Sequence, residues 1–409
     1  MDEMIARAET ALKTHDLCDH CLGRLFARVD TGTTNAERGR KMRAAVPDGT
    51  GDPVPPRMCW LCEDLFDSLE RFADAAMDKL GTVEYDTFLI GTKVDPLVQD
   101  REERLWAEVG GDKAEPIKAE FNREIGKIVE ARTGKSAEFH SPDVVAVVDT
   151  RFGHIELDVA PIFIYGRYRK YSREIPQTRW PCRMCQGKGC KRCEGTGKMY
   201  QNSVQEIIGD VLIKEAEGAD HFFHGMGRED IDARMLGTGR PFVIEISEPR
   251  KRHLDLEGLT ASINEHGAGL ADFSGLRPST REEVRQIKAA TPDKEYLAEV
   301  RPHGKVNKGR VDEVVQSLSQ ARITQQTPTR VAHRRADLAR QRAIHDLQLM
   351  EFSEDRFLLR LRTESGTYVK EFVSGDNGRT VPSFSAALGV PCEVTALDVL
   401  QVIDNSNEG

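Results

Sequence analysis

The chain has 409 residues, of which 39% are hydrophobic and 31% charged, a length that predicts two or three domains at ~150 residues each and a composition that excludes low-complexity disorder and collagen. The net charge is −9, from 58 Lys and Arg against 67 Asp and Glu, which argues against a bulk nucleic-acid coat protein while leaving room for local basic patches. No uncharged apolar run approaches the ~20 residues that span a bilayer, and no signal-peptide pattern opens the chain, so a cytoplasmic location without membrane association is expected.

Residues 2–14 read as a short helix. Cys18 and Cys21 follow in CDHC, and Cys59 and Cys62 in CWLC, with 37 residues between the pairs. Two thiolates on one tight turn can both reach a zinc ion at ~2.3 Å, and two such turns complete a tetrahedron. His20, between two cysteines, is expected to face solvent. Leu65, Leu69, Phe72, Ala76 and Leu80 recur at helical spacing. Val83–Ile90 reads as a strand and 118–132 as a helix, with Val144–Val148 and Ile155–Val159 as strands about an Arg-Phe-Gly turn. Residues 63–165 thus form an α/β accessory region with few candidate catalytic residues.

Residues 161–200 carry ten Lys or Arg against two Glu, a balance of +8. Within YGRYRKYSREIPQTRW, Arg167, Arg169, Lys170, Arg173 and Arg179 alternate with Tyr165, Tyr168, Tyr171 and Trp180. Cations for phosphates and flat rings for unstacked bases suit RNA; a strand with one solvated basic face is the other reading. Next comes CRMCQGKGCKRCEGTG, with Cys182, Cys185, Cys190 and Cys193 in two C-x-x-C-x-G-x-G units. Their glycines permit the tight turns that wrap thiolates around a metal. One or two structural zinc sites are therefore expected, closed to substrate because all four positions are thiolate. Cys392, alone, is expected to be a buried small residue.

A further domain begins near 198. Ser203 and Glu206 form a capping-box pattern ahead of the apolar stripe Val204, Ile207, Ile208, Val211 and Leu212. Phe222–His224 and Phe242–Ile246 read as strands, Phe357–Leu361 and Val394–Ile403 as late strands, and 262–285 and 331–345 as loop-rich or helical. Between the first two strands lies GMGREDIDARMLGTGRPF, with Arg228, Asp230, Asp232 and Arg234 among glycines. Such a loop can expose a carboxylate at a rigid sheet end with cations beside it; it can equally be a hairpin connection laced with surface ion pairs.

GREDIDARMLGTGRPF resembles the active-site loop of archaeal and eukaryotic tRNA pseudouridine synthases of the tenth class, and nearly the whole chain shares the likeness. CDHCLGRLFA, GTTNAERGRKMR (32–43), RKYSREIPQTRWPC, KEYLAEV (294–300), TPTRVAHRRADLARQR (327–342) and SGTYVKEFVSGDNGRTVPS (365–383) are each similar to a family segment. The departures are Val369 where Ile is expected and Ser374 where His is common. The resemblance implies an α+β fold: a zinc-bearing, THUMP-like accessory domain (1–180), a zinc knuckle at the junction (181–197), and a catalytic domain (198–409) on a mixed, mostly antiparallel sheet. It implies Asp230 as the essential carboxylate, with Asp232 its nearest competitor. Tyr296 would stack on the flipped base, Lys370 would pair with Asp230, and Val369 would pack near the base. Arg228, Arg234, Arg330, Arg334 and Arg335 would contact substrate, with Arg167, Arg169 and Lys170 beside them. The implied partner is tRNA, through its T-arm and acceptor end, with no organic cofactor and no obligate protein partner; the implied product is pseudouridine at positions 55 and 54.

Other readings lack their signatures. A methyltransferase would need a Gly-rich cofactor loop after a strand, and a thiolating enzyme an S-G-G-x-D-S-type loop; neither occurs. The knuckle units resemble the zinc region of DnaJ-type chaperones, but there are two rather than four and no H-P-D. A noncatalytic zinc-dependent tRNA-binding scaffold stays open.

Overall fold

Apolar residues at helical spacing build the N-terminal half. In the helix Leu69–Leu80, Phe72, Ala73, Ala76 and Leu80 are buried on one face. In Ile117–Thr133 the buried apolar positions are Ile117, Phe121, Ile125 and Val129. The computed structural model describes residues 2–46, 58–332 and 336–403. The chain divides into two units: residues up to Pro161 together with Glu248–His253, and Ile162–Ser247 together with the residues from Leu254 onward.

The first unit holds a four-stranded sheet in the order Ser136–Ala137, Thr87–Lys93, Val144–Asp149, Ile155–Val159. The first three strands are parallel and the last antiparallel. Val144, Ala146 and Val148 alternate into the core. The strand expected at Val83–Ile90 begins later, at Thr87. The residues before it are engaged otherwise, since the Glu84 carboxylate accepts from the backbone N–H groups of Arg252 and His253. Ahead of the sheet, the helices Asp19–Arg24 and Asn35–Ala45 cross at glycines. A Cβ on Gly23 would lie 1.8 Å from the Asn35 carbonyl oxygen, and one on Gly39 would lie 1.9 Å from that of Asp19. Thr34 and Glu37 cap the second of these helices reciprocally.

The second unit is built on a ten-stranded sheet. Its path runs Thr380–Val381, Arg322–Gln326, Ala339–Phe352, Phe357–Thr363, Asp293–Pro302, Cys392–Ile403, Ala233–Ser247, Ile162–Lys170, Ala271–Ser279, with Asp220–Gly225 also on Ala233–Ser247. Only Cys392–Ile403 against Ala233–Ser247 is parallel, so the sheet is mixed and mostly antiparallel, as expected. The long strand changes partner along its length. Ala233–Met235 follow Leu397–Val399, whereas Arg240–Ile246 pair with Ile162–Tyr168. The change happens at Gly237 (φ 57°), where a Cβ would meet the Leu400 carbonyl oxygen at 1.9 Å. Only glycine fits that approach.

Three expectations differ from this architecture. The division expected at residue 180 lies at Pro161, because Ile162–Lys170 hydrogen-bonds into the middle of the second sheet. The knuckle at 181–197 accordingly lies inside the second unit, not at its boundary. Residues 262–285 contain the strand Ala271–Ser279; of 331–345, residues 333–335 lie outside the described residues and those from Ala339 onward lie in the strand Ala339–Phe352. Arg and Gln alternate along the start of the latter in place of apolar residues, so its sequence carries no strand period.

Candidate active site

The loop 226–232 joins the paired strands Asp220–Gly225 and Ala233–Ser247, and side chains from beneath hold it nearly residue by residue. Arg240 Nη1 donates to the Met226 carbonyl oxygen at 2.8 Å. Gln177 Nε2 donates to that of Gly227 at 3.0 Å and to the Tyr168 hydroxyl oxygen at 2.8 Å. The Tyr168 hydroxyl donates to the Glu229 carboxylate, and Arg240 Nε lies 3.0 Å from the same group. Lys170 Nζ donates to the Ile231 carbonyl oxygen at 2.6 Å, and Arg173 Nη1 to that of Asp232 at 2.9 Å. Carbonyls pinned in this way fix where the side chains between them point.

What the loop presents is Asp230. Its side chain is 36% exposed, with Arg330 Nη1 at 3.0 Å and Lys370 Nζ at 3.7 Å. Lys370 makes its direct hydrogen bonds to Asp232, at 2.9 and 2.7 Å. Burial pushes the Asp232 carboxyl up, but Lys370 outweighs it and leaves the group below the usual carboxylate range. Arg330 also pairs with the buried Glu371 at 2.6 Å. Burial disfavours its charge, yet Glu371 and Asp230 together hold the guanidinium firmly protonated. The backbone before Lys370 is fixed by Gln325, whose amide donates to the Tyr368 carbonyl and accepts from its N–H.

Asp230 opens into a cleft of about 990 Å³. Tyr296, Val369, Lys370, Arg330 and Arg228 line it together with Asp230, so the structure brings six of the expected site residues to one place. Arg228 lies over the Trp180 ring, 5.2 Å from its centroid. Tyr296 is 9% exposed. Burial pushes its phenol up to about 12, with Arg240 opposing, so it stays protonated at neutral pH.

The remaining expected contacts lie elsewhere. Lys170 is fully buried and donates to the carbonyl oxygens of Ser172, Ile175 and Ile231, so it is a staple of the loop and not a substrate contact. Burial pushes its amine down to about 8, against the pull of Glu229. Arg167 donates to the Thr238 and Gly239 carbonyls, Arg169 pairs with Asp272, and Arg234 with Asp398; none lines the cleft. Arg334 and Arg335 lie outside the described residues. Sequence reading missed Glu229, Arg240, Gln177, Glu371 and Lys294. Lys294 alone carried a signal, because it stands two residues before Tyr296 on one strand and hence on the same face.

The eight paired cysteines form two clusters, each with its four sulfurs within 4.8 Å of one another. Sulfur–sulfur distances are 3.7 Å for Cys18–Cys62, 3.9 Å for Cys182–Cys190, 3.8 Å for Cys185–Cys193 and 3.7 Å for Cys190–Cys193. A tetrahedron of ~2.3 Å metal–thiolate bonds has edges of about 3.8 Å, whereas a disulfide is ~2.05 Å. Arg24, 1% exposed, donates to Cys21 Sγ at 3.0 Å, the arrangement an anionic sulfur needs. Both clusters could hold a metal ion. His20, expected to face solvent, is half-buried: it pairs with Glu120 at 2.8 Å and stacks on Phe66. Cys392 is buried, 4% exposed.

The family model described as Pus10, C-terminal, matches residues 163–403. The chain belongs to the Pus10 family. It is a pseudouridine synthase, an isomerase. The archaeal Pus10 THUMP domain matches residues 72–149, so the order of a THUMP domain before a synthase domain is that expected from the sequence. Proteins named tRNA pseudouridine synthase Pus10 match nearly end to end. That of Methanothrix thermoacetophila is 40% identical, over 98% of this chain and 94% of its own length. That of Halorubrum lacusprofundi is 40% identical, over 98% and 96%. That of Methanothermobacter marburgensis is 42% identical, over 94% and 95%. A chain in the crystal structure of a Cbf5–Nop10–Gar1 complex overlaps at 17% identity and TM-score 0.32, over 49% of this chain and 46% of that one. No helix among the described residues is long and apolar enough to cross a membrane.

Proposed function

We propose that this member of the family isomerises uridine to pseudouridine in the T-loop of tRNA, at position 55 and at the adjacent position 54, with Asp230 as the essential carboxylate. The observation that carries the reading is the setting of Asp230. It is a partly exposed carboxylate on a loop whose Met226, Gly227, Ile231 and Asp232 carbonyls accept from side chains beneath, and it faces a cleft with Tyr296 in its wall.

The uridine must leave its stack before any side chain can reach the sugar, and a cleft of about 990 Å³ has room for an extruded nucleoside. Asp230 then acts on the sugar, by attack at C1′ or by removal of the 2′ proton. Either way the C1′–N1 bond breaks, the uracil turns, C5 bonds to C1′, and the C5 proton departs as N1 takes one up. No redox equivalent and no organic cofactor is consumed. Tyr296 offers its ring to the base and a protonated hydroxyl for hydrogen bonding. Arg330 and Lys370 orient Asp230 by charge pairing. Cys18, Cys21, Cys59 and Cys62 would hold one zinc ion, and Cys182, Cys185, Cys190 and Cys193 a second. Zinc would supply folding energy there and take no part in the isomerisation. The THUMP domain would engage the acceptor end of the tRNA, in the cytoplasm.

The test uses purified protein and an unmodified tRNA transcript. Carbodiimide labelling with primer extension maps pseudouridine for wild type and Asp230→Ala. T-loop stops with wild type, absent with the variant at unchanged tRNA affinity, are expected. No stops from wild type despite tight binding would refute the activity. Stops that persist in the variant would move the essential role to Asp232.

A further inference from the structure

Lys294 is a second ionisable group in the wall of the cleft, two residues before Tyr296 on the strand Asp293–Pro302 and on the same face. It is 8% exposed. Its Nζ donates to the Pro292 carbonyl oxygen at 3.0 Å and to the Ser365 hydroxyl at 3.3 Å. These bonds occupy two of the three N–H donors of an ammonium. Of the other cations lining the cleft, Arg240 has Glu229, Arg330 has Glu371 and Asp230, and Lys370 has Asp232, while the exposed Arg228 lies over the Trp180 ring. Lys294 has none among the described residues.

A desolvated cation without an anion is costly in a resting protein. It is what a reaction needs if negative charge appears beside it later. The isomerisation creates such charge. When the C1′–N1 bond breaks, its electron pair leaves with the uracil and spreads over N1, O2 and O4. The sugar is balanced by giving its 2′ proton to the Asp230 carboxylate or by bonding to it at C1′. We infer that Lys294 is a catalytic residue that hydrogen-bonds a ring carbonyl oxygen of the detached uracil and stabilises this anion. Lys294 keeps its proton throughout. The charge disappears when C5 bonds to C1′, which releases the Asp230 carboxylate from C1′ or draws the 2′ proton back from it; the C5 proton is then lost as N1 gains one. Burial and the nearby Arg240 push the Lys294 amine down to about 8, against the pull of the adjacent Asp293, which makes its own ion pairs with His345 and Arg362.

The inference rests on the proposed isomerisation, and its test separates the two. Single-turnover conversion is followed on tRNA transcripts carrying uridine or 5-fluorouridine, as loss of the starting nucleoside after nuclease digestion. tRNA affinity is measured by filter binding. Fluorine stabilises the detached ring anion by itself, so the need for Lys294 falls. K294M is expected to slow uridine conversion about 100-fold, to slow 5-fluorouridine conversion by a clearly smaller factor, and to bind tRNA as wild type does. K294R, which keeps the charge, is expected to recover part of the rate. If K294M does not fold, K294Q takes its place with the same expected selectivity. Equal loss on both substrates would mean a distorted cleft and overturn the inference, as would wild-type rates on both. Failure of wild type to convert either substrate would overturn the isomerase reading itself.

Discussion

Glu229, in the loop 226–232, pairs with Arg240 beneath it, their side chains each 1% exposed, and Glu229→Gln tests whether that pair sets the loop's position. The substitution keeps shape and leaves a carbonyl to accept from Tyr168, so what disappears is the charge facing Arg240. Arg240 would retain its bond to the Met226 carbonyl but face no carboxylate. Removing one partner of a buried pair leaves an uncompensated charge and costs about 3–5 kcal/mol, a large share of the ~5–15 kcal/mol that holds a domain folded. Urea unfolding at pH 7, followed by far-ultraviolet circular dichroism, measures it. Arg285→Gln is the control, since its pair with Glu282 is 71% and 61% exposed and is worth at most ~1 kcal/mol. A double variant, E229Q with R240M, is expected to regain most of the stability, because apolar replacement of a buried pair is often neutral. It should not regain pseudouridine formation, because the Met226 carbonyl has then lost its donor. An E229Q cost no larger than the control's, or a double variant less stable than E229Q, would refute the reasoning.

Zinc should be present at two equivalents per chain by elemental analysis, with Cys21→Ser and Cys182→Ser each losing one; a loss of both from either variant would contradict two independent clusters. The buried amines of Lys170 and Lys294 are both held near pH 8 by desolvation, whereas an unfolded lysine titrates near ~10.4. Between those values the unfolded chain binds the extra protons, so stability should rise with pH from about 8 to 10.4 and be flat in this respect below 8. Urea midpoints should show a shallower rise in Lys170→Met. Reversing Lys188, Lys191 and Arg192 to Glu together should weaken tRNA binding and flatten its salt dependence without changing the single-turnover rate at saturation; a loss confined to that rate would contradict a role in positioning RNA.

The helices Leu69–Leu80 and Ile117–Thr133 were legible because each repeats its apolar residues at helical period, and the strand Val144–Asp149 because it is a short run of β-branched and small apolar residues. Ala339–Phe352 was not legible. Its first residues, Ala-Arg-Gln-Arg, carry polar side chains on both faces, so neither period shows. The cysteine clusters could be read from spacing alone, since the coordination chemistry is local. Asp230, Tyr296 and Lys370 could not. They come from a loop, a central strand and a short late helix, and only the resemblance to a family joined them. Lys294 had a signal in its spacing from Tyr296, whereas Glu229, Arg240 and Gln177 meet across many residues of chain and leave no local pattern.

The basic segment at 165–180 shows why composition misdirects when it stands alone. Its interleaved cations and rings are what an RNA-binding strand would have, yet the cations are already used. Arg167 serves the carbonyls of Thr238 and Gly239, Arg169 pairs with Asp272, and Arg179 pairs with Asp220. Lys170 serves three carbonyls, and Arg173 joins Asp398 to the carbonyls of Asp232 and Leu397. A guanidinium that trades a carboxylate for a phosphate gains little, and one withdrawn from a loop carbonyl would loosen the loop that presents Asp230. Free cations stand instead on the knuckle. Arg183, Lys188, Lys191 and Arg192 are all exposed, and among the described residues none pairs with a carboxylate. Phosphate contacts position a nucleic acid without reading it, and such contacts need cations with no prior bond to break. The cations therefore divide along the chain: Lys170 and Arg173 hold the loop that presents Asp230, Arg167, Arg169 and Arg179 are bound elsewhere in the fold, and the exposed ones of the knuckle are the ones with no carboxylate to give up.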